Sequence, residues 1–233
     1  MNLLLQDGTK FTFKDGYYAV HEKLVSHYSL RSRMDLYQKG LSCRVKGLTE
    51  SYGLESIKFS KDDLIVDVGA NTGELQLAFP EQSYIGFEPS PQEFSILTKN
   101  KKTNSVIYNY CIGNSNEHAD FYISTESSDS SLFAPLKVES VIRIKMYRLD
   151  ELINSSIKLL KVDAEGAELE VFEGSTGILR NIEYISADLG FEKGVYEEST
   201  LPEVLNLLYK HNFVLIKNTK SDRFLFFNTS FQI

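Results

Sequence analysis

The sequence predicts a doubly wound α/β fold, in which helices cover both faces of a mostly parallel sheet. Three short apolar runs carry this prediction, since each one ends at an acid: Leu64 to Asp67, Ser83 to Glu88 and Leu159 to Asp163. Strands that are buried on both faces have this nearly continuous apolar character. Open sheets of this class bind ligands at the carboxyl ends of their strands, where the three acids are predicted to lie.

The first run continues into a glycine loop that favours a nucleoside ligand. Leu64 to Gly73 reads LIVDVGANTG, and its form D-x-G-x-x-x-G differs from the dinucleotide fingerprint because Asn71 stands where a second glycine would be. Gly69 lets the chain turn tightly, and Gly73 lets a helix pack closely. The loop suits a ligand with ribose and amino-acid parts better than a diphosphate, and Asp67 is predicted to meet an ammonium or a loop amide. An ordinary strand-to-helix turn is the alternative.

The second run ends at an acid with the spacing of a ribose ligand. Glu88 follows Asp67 by 21 residues, close to the offset of about 20 at which such an acid accepts hydrogen bonds from ribose hydroxyls. Ser90 to Glu93 then forms a capping box with proline at the first helical position. Glu88 is therefore predicted to face the cleft, with capping of the helix start as the alternative.

The third run belongs to a longer motif, Leu159 to Gly174, with the sequence LLKVDAEGAELEVFEG. A strand is predicted to end at Asp163, and a helix is predicted to begin near Gly166 and end at Gly174. Asp163 and Glu165 then lie at the carboxyl end of the strand. An acid that closes an apolar strand needs water or a cleft partner, so Asp163 is predicted to be functional.

Four motifs in this order resemble the FkbM family of S-adenosylmethionine-dependent methyltransferases: DVGANTG, GFEPSP, RLDEL and KVDAEGAELEVFEG. The resemblance covers about Asp62 to Phe191. It implies a class I methyltransferase fold, with a seven-stranded, mostly parallel sheet whose last strand is antiparallel. It also implies S-adenosylmethionine as cofactor, S-adenosylhomocysteine as product, and O-methylation of a hydroxyl on a sugar, glycan or polyketide. Family members often carry glutamate at the end of the fifth strand, where this chain has Asp188.

Matched residue by residue, the resemblance implies a cofactor loop, a ribose acid and acids after the fourth strand. Apolar atoms near residue 112 are predicted to contact adenine. The predicted cofactor site comprises Asp67, Gly69, Ala70, Asn71, Thr72, Gly73, Glu88, Pro89, Cys111, Ile112 and Asp163.

Methyl transfer to a hydroxyl needs correct positioning and a means of removing the hydroxyl proton. Asp163 is predicted as the base, with Glu165 as support and His118 or His21 as further proton acceptors. An alternative is that Asp163 and Asp188 bind Mg²⁺ and lower the pKa of the hydroxyl. The metal-free version is preferred, because a third protein ligand is not evident in the sequence.

The N-terminal residues 1–60 are predicted to form a hairpin and a helical cap, packed on one globular methyltransferase domain at residues 61–233. Asn2 to Phe13 is predicted to be a hairpin with its turn at Asp7-Gly8. Tyr17 to Tyr52 is predicted to be helical in pieces, broken at Gly40 and Gly47.

This helical segment is the candidate lid over the acceptor, with Tyr17 and His21 as acceptor contacts. Val20, Leu24 and Tyr28 have the i, i+4, i+8 spacing of one helix face. Because of this spacing, the alternative to a lid is that much of the segment simply packs on the core.

An extra antiparallel β-hairpin is predicted between the third and fourth strands. Phe121 to Ser124 forms one strand and Val141 to Tyr147 the other, because apolar and polar residues alternate along the second run. The polar loop from Ser124 to Leu132 is either a flexible excursion or part of the acceptor site. Ser130 and Ser131 are its predicted acceptor contacts.

Charge and composition exclude several partners. The formal net charge is −7 without a long Lys or Arg run, so nucleic acid is not expected as a partner. The two cysteines, Cys43 and Cys111, form no disulfide framework or metal motif. No apolar run reaches the roughly 18 residues of a membrane span, and Met1 to Lys10 lacks a signal-peptide layout. A cytoplasmic location is therefore expected, and a homo-oligomer is compatible with the sequence.

Two other functional classes fit parts of the sequence. A nicotinamide oxidoreductase would share the strand order but needs the diphosphate glycines that this loop lacks. A non-catalytic nucleoside-binding module of the same fold would not need intact glycine and acid motifs. Both motifs are intact, which favours a methyltransferase.

Overall fold

A computed structural model of the chain describes residues 2–14, 17–20, 24–27, 35–125, 130–219 and 222–231. The N-terminal strands form an antiparallel sheet in the order β1 (Asn2–Leu4), β2 (Lys10–Lys14), β3 (Tyr17–Val20) and β4 (Leu24–His27). The predicted hairpin is confirmed, since Asn2 pairs with Thr12.

The helices predicted directly after this hairpin were wrong. Val20 and Leu24, whose spacing suggested one helix face, are instead partners across β3 and β4. The aromatic and β-branched residues of β3 favour a strand. In the sequence, only Asp15-Gly16 separates β2 from β3, and this dipeptide is typical of a two-residue hairpin turn.

Helix α1 (Leu41–Ser51) begins where the sequence predicted a break. Gly40 precedes it with a positive φ of 101°, so this break is confirmed. The break predicted at Gly47 was wrong, because Gly47 lies inside α1. A single glycine costs a helix only about 1 kcal/mol relative to alanine, too little to end one that packs on a core.

The first half of the central sheet follows the predicted order. Its elements are β5 (Leu64–Val68), α2 (Leu75–Ala78), β6 (Ser83–Phe87), α3 (Pro91–Asn100) and β7 (Ser105–Tyr108). Helix α3 begins at the predicted proline, with Ser90 as N-cap. The Ser90 hydroxyl donates a hydrogen bond to the Glu93 carboxylate, so the two ends of the predicted capping box are in contact.

The insertion after β7 forms a separate sheet of β8 (Cys111–Ile112), β9 (His118–Ser124) and β10 (Val138–Tyr147). Strands β9 and β10 are antiparallel, which confirms the predicted pair. In β10, Ile144 and Met146 are buried while Arg143 and Lys145 are exposed, as the alternation predicted.

The second half of the central sheet follows the inserted sheet and completes the fold. Its elements are α4 (Leu149–Leu152), β11 (Ile157–Val162), α5 (Glu168–Glu173), β12 (Ile182–Asp188), β13 (Phe191–Lys193), β14 (Glu198–Ser199), α6 (Leu201–Lys210), β15 (Phe213–Asn218) and β16 (Arg223–Asn228). The sheet order is β15-β16-β12-β11-β5-β6-β7, and β16 is antiparallel to both neighbours. The predicted seven-stranded sheet with an antiparallel last strand is confirmed.

Both faces of this sheet are covered. On one face, α5 and α6 bury Val171, Phe172, Val204 and Leu208 in the main core. On the other face, the segment after α1 buries a second core against β5 and β11 that includes Tyr52, Leu54, Ile57, Ile65 and Leu159. Within the described ranges, no helix combines the length and apolarity that crossing a bilayer requires.

One buried side chain attaches the N-terminal sheet to the central sheet. Asn100, at the end of α3, accepts a hydrogen bond from Val25 N (2.6 Å) and donates to Val25 O (2.9 Å). Its amide also donates to Thr72 O in the glycine loop (2.6 Å). Asn100 therefore joins β4, α3 and the loop.

We expect Asn100→Ala to lower the free energy of unfolding by about 2–4 kcal/mol, because each backbone group left unsatisfied costs about 1–3 kcal/mol. Denaturant unfolding measures the change. Thr98→Ala, at an exposed position on the same helix, is the control and should change stability by no more than about 0.5 kcal/mol. Equal stability of the two variants would contradict the bridging role of Asn100.

Candidate functional site

One cavity of about 560 Å³ lies at the carboxyl ends of β5, β6 and β11, a volume within the usual range for small-molecule sites. Of the residues predicted to bind the cofactor, every one except Gly73 lines this cavity: Asp67, Gly69, Ala70, Asn71, Thr72, Glu88, Pro89, Cys111, Ile112 and Asp163. The structure therefore brings the separate motifs together.

Two glycines let the loop after β5 lie close to its neighbours. Gly69 has φ 73°, and a Cβ there would lie 1.8 Å from the carbonyl oxygen of Asp163. Gly73 has φ 81°, and a Cβ there would lie 2.6 Å from Leu97 Cδ1 of α3. Gly73 thus packs behind the loop rather than facing the cavity, and the close helix packing predicted for it involves α3.

Glu88 joins the ends of two loops at the cavity wall. Its carboxylate accepts hydrogen bonds from Asn71 N (2.7 Å) and Ser90 N (2.9 Å). Burial, with a contribution from nearby Glu93, raises the pKa of Glu88 to about 7. Glu88 therefore contacts the start of α3, as the alternative prediction required, and also faces the cavity, as the ribose prediction required.

Asp67 meets an ammonium group, but the ammonium belongs to this chain. Lys161 Nζ lies 3.1 Å from Asp67 Oδ1, and the Tyr84 hydroxyl donates to Asp67 Oδ2 (2.7 Å). Lys161 Nζ also donates to Gly69 O (2.8 Å) and lies 3.6 Å from Asp163 Oδ2. Burial opposes its charge, yet Asp67 and Asp163 raise the pKa of Lys161. The sequence analysis missed Lys161, although a lysine within the apolar run LLKV is a signal of this role.

Asp163 is held by groups from distant parts of the chain. The hydroxyl of buried Tyr52, directly after α1, donates to Asp163 Oδ2. Arg223 of β16 stacks on the Tyr52 ring, with 4.5 Å between the guanidinium carbon and the ring centroid. Burial raises the pKa of Asp163, but Lys161 and Arg223 outweigh it and leave the pKa lowered. Asp163 is therefore an ionised, hydrogen-bonded carboxylate with low proton affinity.

Asp188 is engaged by the protein rather than turned to a metal. Arg223 Nε lies 2.8 Å from Asp188 Oδ2, and Gly190 N donates to Asp188 Oδ1 (3.2 Å). Burial and then Asp163 raise the pKa of Asp188 to about 6. The carboxylate oxygens that do lie together, within 4.8 Å of one another, belong to Asp163, Glu165 and Glu192. Oxygen ligands of this kind suit Mg²⁺, so this trio is a candidate ligand set beside the predicted pair of Asp163 and Asp188.

Glu192, in β13, is a cavity residue that the sequence analysis missed. Its Oε2 atom is buried and has no hydrogen-bond partner among the described residues. Burial, followed by the charges of Asp188 and Asp163, raises the pKa of Glu192 to about 9. Glu192 lies in a short polar segment after the fifth strand, and no local sequence pattern marks an acid there as a site residue.

The remaining predicted residues divide into three groups. Glu165 and Ser130 line the cavity, while Ser131 is buried behind it, with Oγ 3.5 Å from Ala164 O. His118 is exposed at the start of β9 and is not among the described residues that line the cavity, so the structure does not support it as a proton acceptor. Tyr17 begins β3, and His21 lies outside the described residues, as does much of the loop of Ser130.

Comparison with known proteins identifies the family. The model of the methyltransferase FkbM domain matches residues 67–215. The hexuronic acid methyltransferase AglP of Haloferax volcanii is 31% identical over 137 residues, which are 55% of this chain and 56% of that protein. The 2-O-methyltransferase NoeI of Sinorhizobium fredii is 23% identical over 230 residues, covering 82% of this chain and 94% of that protein.

A solved structure shows the same fold. The crystal structure of the FkbM methyltransferase from Methylobacillus flagellatus superposes with a TM-score of 0.51 at 16% identity, covering 88% of this chain and 56% of that one. The chain thus spans little more than half of this structure and of the Haloferax relative. Because the family model matches more than half of the chain, the chain belongs to the methyltransferase FkbM family, and the resemblance and the class I fold predicted from the sequence are confirmed.

Proposed function

We propose that this chain transfers a methyl group from S-adenosylmethionine to a hydroxyl of a sugar or glycan. The observation that carries the proposal is the cavity in which the glycine loop and Glu88 face the carboxylates of Asp163, Glu165 and Glu192. The name of one relative, a hexuronic acid methyltransferase, supports a sugar acceptor, and the name of another, a 2-O-methyltransferase, supports transfer to an oxygen atom.

The residues of the loop side fit the cofactor. An ionised Glu88 accepts hydrogen bonds from the two ribose hydroxyls. Tyr110, Cys111 and Ile112 form an apolar wall for adenine. When bound, S-adenosylmethionine supplies the methyl group.

The proposed acceptor wall consists of Asp163, Glu165 and Glu192, and two of these acids have different tasks. Asp163 has low proton affinity and a fixed orientation, so it orients the acceptor by accepting a hydrogen bond from a neighbouring hydroxyl of the sugar. Glu192 has a buried oxygen without a partner and a high proton affinity, so its ionised form takes the hydroxyl proton. Glu192 thereby takes the role of base that the sequence analysis gave to Asp163, and Glu165 remains in support.

The N-terminal residues complete the cavity. Arg44, Leu48 and Tyr52 line it from α1 and the residue that follows α1. Arg44 Nε donates to Glu74 after the glycine loop (3.1 Å). We therefore propose that residues 1–60 serve as a cap that helps to shape the acceptor side.

The direct test is methyl transfer from isotopically labelled S-adenosylmethionine to a panel of neutral, amino and uronic-acid glycans in the presence of EDTA. We expect mass spectrometry to detect the added methyl on at least one glycan. If EDTA abolishes transfer and Mg²⁺ restores it, the metal-free mechanism is wrong, and a mechanism in which Asp163, Glu165 and Glu192 bind Mg²⁺ takes its place. Absence of both cofactor binding and transfer would overturn the proposal.

We expect the affinity for S-adenosylhomocysteine to rise with pH and to level off above about pH 7, because Glu88, with its pKa raised to about 7, must lose its proton to accept both ribose hydrogen bonds. Glu88→Gln should weaken binding at pH 8 by about 10- to 100-fold, since a hydrogen bond to a charged group contributes about 1.5–3 kcal/mol. It should also remove the pH dependence. Calorimetric titration at pH 6, 7 and 8 measures both effects, with exposed Glu81→Gln as control. Unchanged affinity in folded Glu88→Gln would remove this residue from the site.

Glu192→Gln should lower kcat by about 10²–10⁴-fold, the usual contribution of a general base, with little change in S-adenosylhomocysteine affinity. In the wild type, kcat should rise with pH up to about 9, because Glu192 must be ionised to accept the proton. Asp163→Asn should also lower turnover, and it should move the rise of the pH profile to lower pH, because the Asp163 charge helps to raise the pKa of Glu192. Stopped assays from pH 6 to 10 make the comparison, and Glu81→Gln, an exposed acid that does not line the cavity, is the control. A wild-type kcat in Glu192→Gln would exclude it as the base.

A further inference from the structure

The hairpin of β13 and β14 separates the acceptor wall from a second concavity. Successive strand residues point to opposite sides. Glu192 accordingly lines the main cavity, while Phe191 and Lys193 line a groove of about 580 Å³ on the other side of the hairpin. This groove extends between the hairpin and the start of α6, where Thr200 and Glu203 contribute to it.

Two aromatic rings in this groove are exposed. Phe191 is 69% exposed and Tyr196 is 85% exposed, and both line the groove with Leu169. Clustered exposed apolar side chains usually mark a binding site. Aromatic rings stack on the apolar faces of sugar rings and do so without adding charge.

The polar groups of the groove are mainly hydrogen-bond acceptors. Glu197, Glu198 and Glu203 place exposed carboxylates there, which accept hydrogen bonds from hydroxyls and disfavour anions. Lys193 is the cation among the described residues of the groove, and its ammonium lies 3.1 Å from Glu170 Oε1. The groove thus combines exposed aromatic rings, carboxylates that accept hydrogen bonds, and a lysine whose charge is paired within the protein. This combination fits a neutral, polyhydroxylated ligand.

The hairpin is anchored at a fixed distance from the acceptor wall. A Cβ at Gly166 would lie 2.5 Å from Lys193 Cα, so the hairpin packs directly on the loop after β11. The Ser199 hydroxyl donates to Leu189 O (2.7 Å), which ties β14 to the end of β12. The groove and Glu192 therefore lie on opposite sides of one anchored hairpin.

From this juxtaposition we infer that the groove is a second carbohydrate subsite, which binds a neutral sugar unit next to the unit that is methylated. The acceptor is accordingly an oligosaccharide or glycan chain rather than a free monosaccharide. The inference rests on the proposed function, because it requires that Glu192, on the inner side of the hairpin, faces the acceptor.

A tryptophan reporter tests the subsite without methyl transfer. The chain contains no tryptophan, so Tyr196→Trp introduces a single fluorophore that keeps an aromatic ring in the groove. We expect the emission to shift in a saturable way with at least one of cellotetraose, maltotetraose, mannotetraose and chitotetraose, at concentrations at least 10-fold lower than with glucose. Tyr209→Trp, at a 54% exposed position of α6 outside the groove, is the matched control and should not respond. No response of Tyr196→Trp to any tetrasaccharide, or an equal response of both variants, would overturn the inference.

A kinetic comparison separates this inference from the proposed function. With a glycan that the transfer assay has identified, Phe191→Ala/Tyr196→Ala should raise KM at least 10-fold and leave kcat and S-adenosylhomocysteine affinity within 2-fold. Methylation with unchanged KM would overturn the subsite while the proposed function stands. A response of Tyr196→Trp in a protein that neither binds S-adenosylhomocysteine nor transfers a methyl group to any glycan would keep the sugar site and overturn the proposed function. A change of oligomeric state in the double variant, measured by light scattering, would identify the groove as an interface between copies and overturn the subsite.

Discussion

The site depends on one buried ammonium group at the carboxyl ends of the two central strands. Lys161 lies between Asp67 and Asp163 and also binds the carbonyl of Gly69. Removing one partner of a buried ion pair typically costs about 3–5 kcal/mol, because the remaining charge is left buried without compensation. Lys161 therefore fixes the relative positions of the glycine loop, Asp67 in β5 and Asp163 after β11.

This constraint also sets the charge states of the neighbouring acids. Lys161 and Arg223 keep Asp163 ionised. That fixed negative charge, added to burial, raises the pKa values of Asp188 and Glu192. Carboxyl groups in one cavity thus acquire opposite proton affinities from their surroundings, which is how a site can contain both a fixed anion and a proton acceptor.

The sequence predicted the parts of the site that depend on local pattern. The strand at Leu64, the acid at Glu88 and the turn at Gly69 each follow from a few adjacent residues and their spacing. Strands β3 and β4 did not, because four-residue strands contain too few positions to distinguish a period of 2 from one of 3.6. Tyr52 and Arg223 were not predictable either, since they reach Asp163 only through the sheet topology, from positions more than 50 residues away on each side.

The residues that set the charge of Asp163, on the proposed acceptor side of the cavity, lie partly outside the range that matches the family model. Residues 67–215 match it, and they include the glycine loop, Glu88, Lys161 and Asp163. Tyr52 precedes this range and Arg223 follows it, yet both adjust the charge and position of Asp163. The matched range therefore supports cofactor binding by analogy with relatives, whereas the charge of the acceptor wall depends also on flanking segments. Because Tyr52 donates to Asp163 and Arg223 stacks on Tyr52, we expect substitutions at these two residues to act first on the proposed acceptor side of the cavity.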